Sequence, residues 1–383
     1  MYHTLQRSVI WGTTLVRTLT FICIPFIVIK LTNSNISPTI IGLLLGCGWL
    51  FGIIGGYLIS YLSDALGRKK LMTMTLFLWS LVFLLFLINQ SIITMFILNI
   101  TNGLCRAFHD PITQSIISDS EENEEKKKKL FHKRYLSANV GGAIGPLIGG
   151  FISGDSVKIV FLISFLLLFI YAIINMCIQY PETQKVKTIT IKKSLSIVKK
   201  DTKLQLIVYS ALFISVGVAL VDLFPTLLKG KFINTQFFSY LLTVNALTVL
   251  LLQPIIASYI VKLREKQALL SGCLIFTLGL LIISISPSFW LMVIGMFIFT
   301  IGEIIVLPTG SILIDNIAPT NLVGTYYGAY NFRTFGNFLT PIIVGLLISS
   351  INVTIVFSAF SLITLLSFLF YVIFFNLNTN KTT

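Results

Sequence analysis

Charge is what this chain has least of. Only 11% of its 383 residues are Asp, Glu, Lys or Arg, and 14 of these are acidic. A soluble domain carries about 25% charged residues, so a fold that lives wholly in water is excluded. The three histidines and five cysteines are equally sparse. Cys23, Cys47, Cys105, Cys177 and Cys273 each sit inside an apolar run with no companion at metal-ligand spacing, which leaves them as small apolar residues. No G-x-x-x-x-G-K-[ST] phosphate loop occurs, so ATP hydrolysis of the usual kind is excluded as a power source. No nucleophile triad emerges for His109 or His132, so the chain reads as no enzyme, with no cofactor and no metal. A cleavable signal peptide is not expected, because the first apolar run, from about Val9, is long enough to span a bilayer and leads into a second.

What is present is hydrophobic sequence: 55% of residues and a mean hydropathy of +0.92. A spanning helix takes about 20 apolar residues, and twelve with short loops need roughly 300. In lipid the backbone must satisfy its own hydrogen bonds, so these runs are helices. The expected fold is an all-α polytopic membrane protein. Its spans lie near 9–31, 37–62, 71–90, 92–117, 135–154 and 158–180, then 205–228, 236–261, 268–287, 289–315, 324–350 and 352–376. The organisation is two six-helix halves, 1–180 and 205–383, joined by a basic linker, 181–204.

The formal net charge is +14, yet the basic residues fall in clusters between apolar runs, which argues against nucleic acid. With the N-terminus inside, about 21 of the 28 Lys and Arg lie on the cytoplasmic side, a strong positive-inside bias. Both termini are therefore expected in the cytoplasm, and the acidic-then-basic stretch Glu121 to Lys129 as a solvated cytoplasmic loop. The halves echo one another: Tyr135, Gly141, Pro146 and Gly150 have counterparts 195 residues on at Tyr330, Gly336, Pro341 and Gly345. Parallel repeats of this kind place a substrate site at the repeat interface near the midplane.

Two motifs carry a family resemblance. The stretch Ser60-Tyr61-Leu62-Ser63-Asp64-Ala65-Leu66-Gly67-Arg68-Lys69 follows the second span as a loop. It resembles the G-x-L-x-D-R-x-G-R-K signature of the major facilitator family, matching at Asp64, Gly67, Arg68 and Lys69 and departing at Ser60 and Ala65. Gly141-Gly142-Ala143-Ile144-Gly145-Pro146-Leu147-Ile148-Gly149-Gly150 is similar to the G-x-x-x-G-P-x-x-G-G signature of its antiporter branches. The resemblance implies a twelve-helix transporter, a gating loop at Asp64, Gly67, Arg68 and Lys69, and an export direction marked by Gly141, Gly145, Pro146, Gly149 and Gly150. Physically, the glycines permit close helix approach and Pro146 a bend.

Charges inside a span are costly, about 2.5–3.5 kcal/mol each on insertion scales, and so mark function. Arg17, Arg106, Asp110, Asp222, Glu303 and Arg333 are the candidates. Arg106 and Asp110, four apart, share a helix face and can pair; His109 beside them reads as a neutral polar contact. Asp222 and Glu303 lie in stretches that resemble the seventh and tenth helices of the drug:proton antiporter branch, which implies proton coupling and cation binding for them. Burial favours the protonated form of a carboxyl group, the property a proton carrier needs. Trp49, Phe108, Phe224, Tyr326 and Tyr330 are candidates to line a cavity. The expected function is proton-coupled export of hydrophobic, cationic drugs by a monomer in the plasma membrane. Its partners are the small-molecule substrate, protons and the lipid bilayer. The alternatives are export of one metabolite, with Arg17 and Arg106 binding an anionic chelator, and a non-transporting receptor or scaffold.

Overall fold

The computed structural model describes residues 2–33, 38–88, 91–150, 156–181, 191–224, 227, 236–260, 263–348 and 350–379, in places for the backbone alone. Among these residues the secondary structure is helical throughout. The first six helices are α1 (His3–Asn33), α2 (Pro38–Leu66), α3 (Arg68–Ile88), α4 (Ile92–Ser120), α5 (Glu124–Gly150) and α6 (Ser156–Cys177). A short amphipathic helix, α7 (Ile191–Lys200), precedes α8 (Thr202–Asp222). Then come α9 (Gln236–Ile260), α10 (Glu265–Ile285), α11 (Phe289–Ile317), α12 (Val323–Tyr330), a 3-10 turn (Asn331–Thr334), α13 (Phe335–Ile348), α14 (Val353–Ile363) and α15 (Leu365–Thr379). Eight stretches of described residues are long and apolar enough to cross a membrane, with 323–348 and 353–377 counted as single spans. With α1, α2, α4 and α5, each 27 to 31 residues long, the set is consistent with twelve crossings.

Several helices overrun the expected spans. At about 1.5 Å per residue, a helix of 29 residues is roughly 43 Å long against a hydrocarbon core of about 30 Å. The expected loop at Glu121–Lys129 is helical from Glu124. Asn123 accepts from the Lys126 N–H at 3.0 Å, and Lys127–Glu124 (3.1 Å) and Lys129–Glu125 (2.5 Å) pair one turn apart. An N-cap, acids in the first turn and i,i+3/i,i+4 pairs are the local rules for starting a helix in water. The expected loop at Ser60–Lys70 shrinks to one residue. Gly67 alone leaves helical geometry, at φ 91°, a left-handed cap that lets its N–H return to the Ser63 carbonyl at 3.1 Å. The eleventh span is not one helix but α12 and α13 joined by the 3-10 turn, and the twelfth is interrupted at Thr364.

The chain forms two compact units. The first comprises Met1–Ser194 and Pro319–Asn331; the second comprises Leu195–Ala318 and Phe332–Thr383. The segment that carries α12 thus belongs with the first unit, although the sequence division assigns it to the second half. In the first unit α1 packs on α5, α2 on α4, α3 on α6, and α12 on α2 and α4. In the second α10 packs on α11, and α8 on α13 and α15. Buried aromatics fill each interior, among them Trp79, Phe83 and Phe161 in one and Phe276, Phe299 and Phe357 in the other. Outward faces are apolar instead of charged; Leu78, Leu81 and Leu85 on α3 are all exposed. A stripe like this suits lipid, not water.

The internal repeat has a structural basis. A side chain at Gly141 would run into the Thr14 carbonyl and lie 2.8 Å from Arg17 Cβ and 3.0 Å from Thr18 N. At Gly336 it would lie 2.6 Å from the Leu212 carbonyl, 3.0 Å from Ser215 Cβ and 2.9 Å from Val216 N. Position by position the two contact sets are 198 residues apart, so α5 crosses α1 as α13 crosses α8. Contacts this close need glycine.

Candidate functional site

Three polar constellations sit in this apolar framework. The first is a latch at the α2–α3 turn. The helix α12 starts at Val323, and the residue before it, Leu322, has no side chain able to cap it. Asp64, near the end of α2, supplies the cap from 260 residues away. Its carboxylate accepts from Gly324 N (2.9 Å), Thr325 N (2.7 Å) and the Thr325 hydroxyl (2.8 Å). An anion at a helix N-terminus satisfies orphan N–H groups and the helix dipole together. Arg68, the first residue of α3 and nearly buried, bridges Asp64 (2.6 Å) and Asp119 at the end of α4 (3.0 Å). The chain has Ala65 where the family signature has Arg; the guanidinium paired with Asp64 here is that of Arg68, which also pairs with Asp119. Asp119 lies just past the expected end of its span and carried no signal in the sequence.

The second constellation surrounds Asp110 on α4. Its two oxygens are taken by Arg17 of α1 (2.6 Å) and Arg134 of α5 (2.7 Å). Sequence spacing pointed to Arg106, one turn earlier on α4; the guanidinium groups on the carboxylate come from other helices. Arg134 also donates to the Thr113 hydroxyl at 2.9 Å. It lies between the expected loop, 121–129, and the expected span, 135–154. Arg17 and Arg134 contact Asp110, and Arg106 lies close enough to feel both Asp110 and Arg17. His109, buried, lies 4.0 Å from Asp110 and edge-on to Trp79, whose indole N–H donates to Asn102 at 2.7 Å. Nearer the start of α5, burial pushes the His132 imidazole down to about 4, so it is neutral at ordinary pH.

The third is Glu303, half-buried on α11. The Asn245 amide of α9 donates to Glu303 at 3.1 Å and to the Thr300 hydroxyl at 2.9 Å. Asn245 sits in a long apolar stretch and drew no attention as a neutral residue. Asp222 is the last residue of α8, and its side chain lies outside the described residues, as do those of Pro146 and Trp49. Gly149 and Gly150 fall in the last turn of α5. Gly145 repeats the close approach of Gly141: a Cβ added there would lie 2.7 Å from Phe21 Cβ. Of the aromatic candidates, Phe224, Tyr326 and Tyr330 are buried, Phe224 against Phe357, and Phe108 is partly exposed. Lys69 lines a cavity beside the latch.

The model of the Major Facilitator Superfamily matches residues 9–334 and 239–382. The chain is 26% identical over 378 residues to the uncharacterized MFS-type transporter YqjV of Bacillus subtilis (strain 168), covering 95% of this chain and 92% of that one. It is 25% identical to a Na(+), Li(+), K(+)/H(+) antiporter of Planococcus maritimus, covering 83% of each. Quinolone resistance protein NorA of Staphylococcus aureus (strain MSSA476) is 23% identical over 85% of this chain and 84% of its own length. Among solved structures, the E. coli fucose:proton symporter FucP shares the fold, with a TM-score of 0.80 at 15% identity over 97% of this chain and 99% of that one.

Proposed function

The chain belongs to the Major Facilitator Superfamily and is a multi-pass membrane transporter, not an enzyme, and we propose that it exports hydrophobic cations in exchange for protons. The observation that carries this reading is Glu303: a carboxyl group in an apolar helix, with the Asn245 amide among its partners. Charge at that depth is expensive, and a group that can shed its charge by taking a proton is suited to accept either a proton or a cation. One at a time, the two ligands exchange. Inward protons supply about 2.3 kcal/mol per charge at 100 mV. The names of the Planococcus antiporter and of NorA support cation:proton exchange and drug resistance respectively. Asp222 is assigned the same role from its sequence context.

In this reading the protein works as a monomer in the cell membrane with both termini cytoplasmic, as the distribution of Lys and Arg supports. The α2–α3 latch then lies on the cytoplasmic side. Asp64 holding α12 is the locked condition, and release of that cap accompanies opening inward. Asp110, between Arg17 and Arg134, ties α1, α4 and α5 together. The gathering of Arg17, Arg106 and Arg134 there supports a second reading, export of an anionic metabolite through Arg17 and Arg106.

The test is efflux of a fluorescent cationic dye from re-energised cells expressing wild type, Glu303→Gln or Asp222→Asn. Efflux that is abolished by an uncoupler and lost in Glu303→Gln supports the proposal. Sodium- or potassium-driven proton release from everted vesicles, without dye efflux, moves the cargo to alkali cations. Neither activity, with the protein present in the membrane, refutes cation:proton exchange and favours the anionic metabolite.

A further inference from the structure

A cavity of about 470 Å³ opens beside the α2–α3 turn, between the ends of α3, α4 and α6. Lys69, Lys70, Thr73, Met74, Met176 and Tyr180 are among its lining residues. One wall is a fixed hydrogen-bond ladder: the Tyr180 hydroxyl donates to Asn175 Oδ1 (2.6 Å), and Asn175 Nδ2 donates to the Thr73 hydroxyl (2.7 Å). Arg68 and Asp119 also line it; Arg68 is shared between Asp119 (3.0 Å) and Asp64 (2.6 Å), so the positive surplus there comes from Lys69 and Lys70. Among the described residues no carboxylate lies within ion-pair distance of Lys69 or Lys70. The cavity thus carries a positive surplus, has hydrogen-bonded polar groups on one side, and lies where two apolar spans end.

Its apolar side continues out of the cavity. Exposed Met74 leads along α3 to Leu78 and Leu81, and exposed Met176 leads along α6 to Ile173 and Ile170. The two helices are packed together, with Phe77 edge-on to Phe169 at 5.3 Å. A ligand that fits must be anionic at one end and have a long apolar tail at the other. A soluble anion uses only the first half of this surface, and a neutral lipid only the second.

We propose that this cavity seats the phosphate of one anionic phospholipid, with its head group on Lys69 and Lys70 and an acyl chain along the α3–α6 seam. Basic pockets between the ends of spanning helices bind such head groups, and each lysine near a charged bilayer surface strengthens binding about fivefold. The site stands apart from the cargo and holds whether or not the protein exchanges protons.

The experiment is native mass spectrometry of the full chain, released from detergent after titration with phosphatidylglycerol or phosphatidylcholine. Wild type is expected to retain one phosphatidylglycerol with at least roughly tenfold preference, and Lys69→Gln/Lys70→Gln to lose roughly 25-fold in affinity. Lys69→Arg/Lys70→Arg is expected to keep the preference. Equal retention of both lipids by wild type overturns the proposal, and so does an undiminished preference in the glutamine variant. Displacement of the lipid by millimolar inorganic phosphate alone assigns the cavity to a soluble anion and overturns it too. If the glutamine variant is lost in purification, the wild-type comparison of the two lipids decides by itself.

Discussion

Asp64→Ala removes the only side chain shown capping α12. Two backbone N–H groups and the Thr325 hydroxyl lose a charged acceptor at 2.7–2.9 Å. Loss of an N-cap costs about 1 kcal/mol. Loss of the negative charge at the helix start costs about 0.3–1 more, and hydrogen bonds to a charged group are worth about 1.5–3 each. These overlap instead of adding, so the local opening of α12 should become easier by about 2–3 kcal/mol. Hydrogen–deuterium exchange of peptides covering 323–330 reads that opening directly. In Asp64→Ala it should accelerate roughly 30- to 150-fold. Asn caps nearly as well as Asp, so Asp64→Asn should accelerate it less than about tenfold while still losing the ion pair to Arg68. Unchanged protection of α12 in Asp64→Ala, in protein that remains folded, would refute the cap as the source of its order.

Gly141→Val drives a side chain into the Thr14 carbonyl and Arg17 and should cost about 1–3 kcal/mol in thermal stability. At Gly345 nothing lies within 4 Å of an added Cβ, so Gly345→Ala should be neutral or stabilise by up to about 1 kcal/mol through helix propensity, read as a higher melting temperature. Arg134→Gln should destabilise by about 3 kcal/mol and Arg17→Gln by less, because the first side chain is 11% exposed and the second 30%; equal melting shifts would contradict this ranking. His132 has a folded value of about 4 against about 6.5 unfolded, so the unfolded chain takes the proton first. Stability is complete above pH 6.5, falls as pH drops towards 4, and is about 2 kcal/mol lower at pH 5; in melts from pH 7.5 to 5, His132→Gln should show a shallower slope than wild type.

The framework was legible because apolar length and polar breaks are local signals. So were the glycine motifs, whose spacing mirrors the crossings they make. Helix ends were not: Glu124–Lys129 looks like loop by charge and becomes helix by capping and i,i+4 pairing, which charge counts overlook. The partners of the recognised charges were also hidden. Asp64 and Gly324 are brought together only by the fold. Asp119 and Arg134 sat outside the expected spans, and Asn245 is neutral in an apolar run. Sequence therefore exposed the costly half of each polar pair and concealed the half that makes it tolerable. The Arg106–Asp110 pairing shows the converse, since adjacency on one helix face lost to two arginines arriving from α1 and α5.

The matched glycine seams also divide labour. Thr14, Arg17 and Thr18 occupy the same three seats against Gly141 that Leu212, Ser215 and Val216 occupy against Gly336. One joint has been used twice, with a guanidinium fastened beside it in one copy and a hydroxyl in the other. The crossing itself tolerates no novelty, while the seat next to it accepts either group. Each copy therefore serves as a template for rebuilding the other: Arg17→Ser and Ser215→Arg together exchange chemistry between two sites whose backbones are already shaped for it. Such a transplant asks whether a charge acts because of what it is or because of which copy carries it.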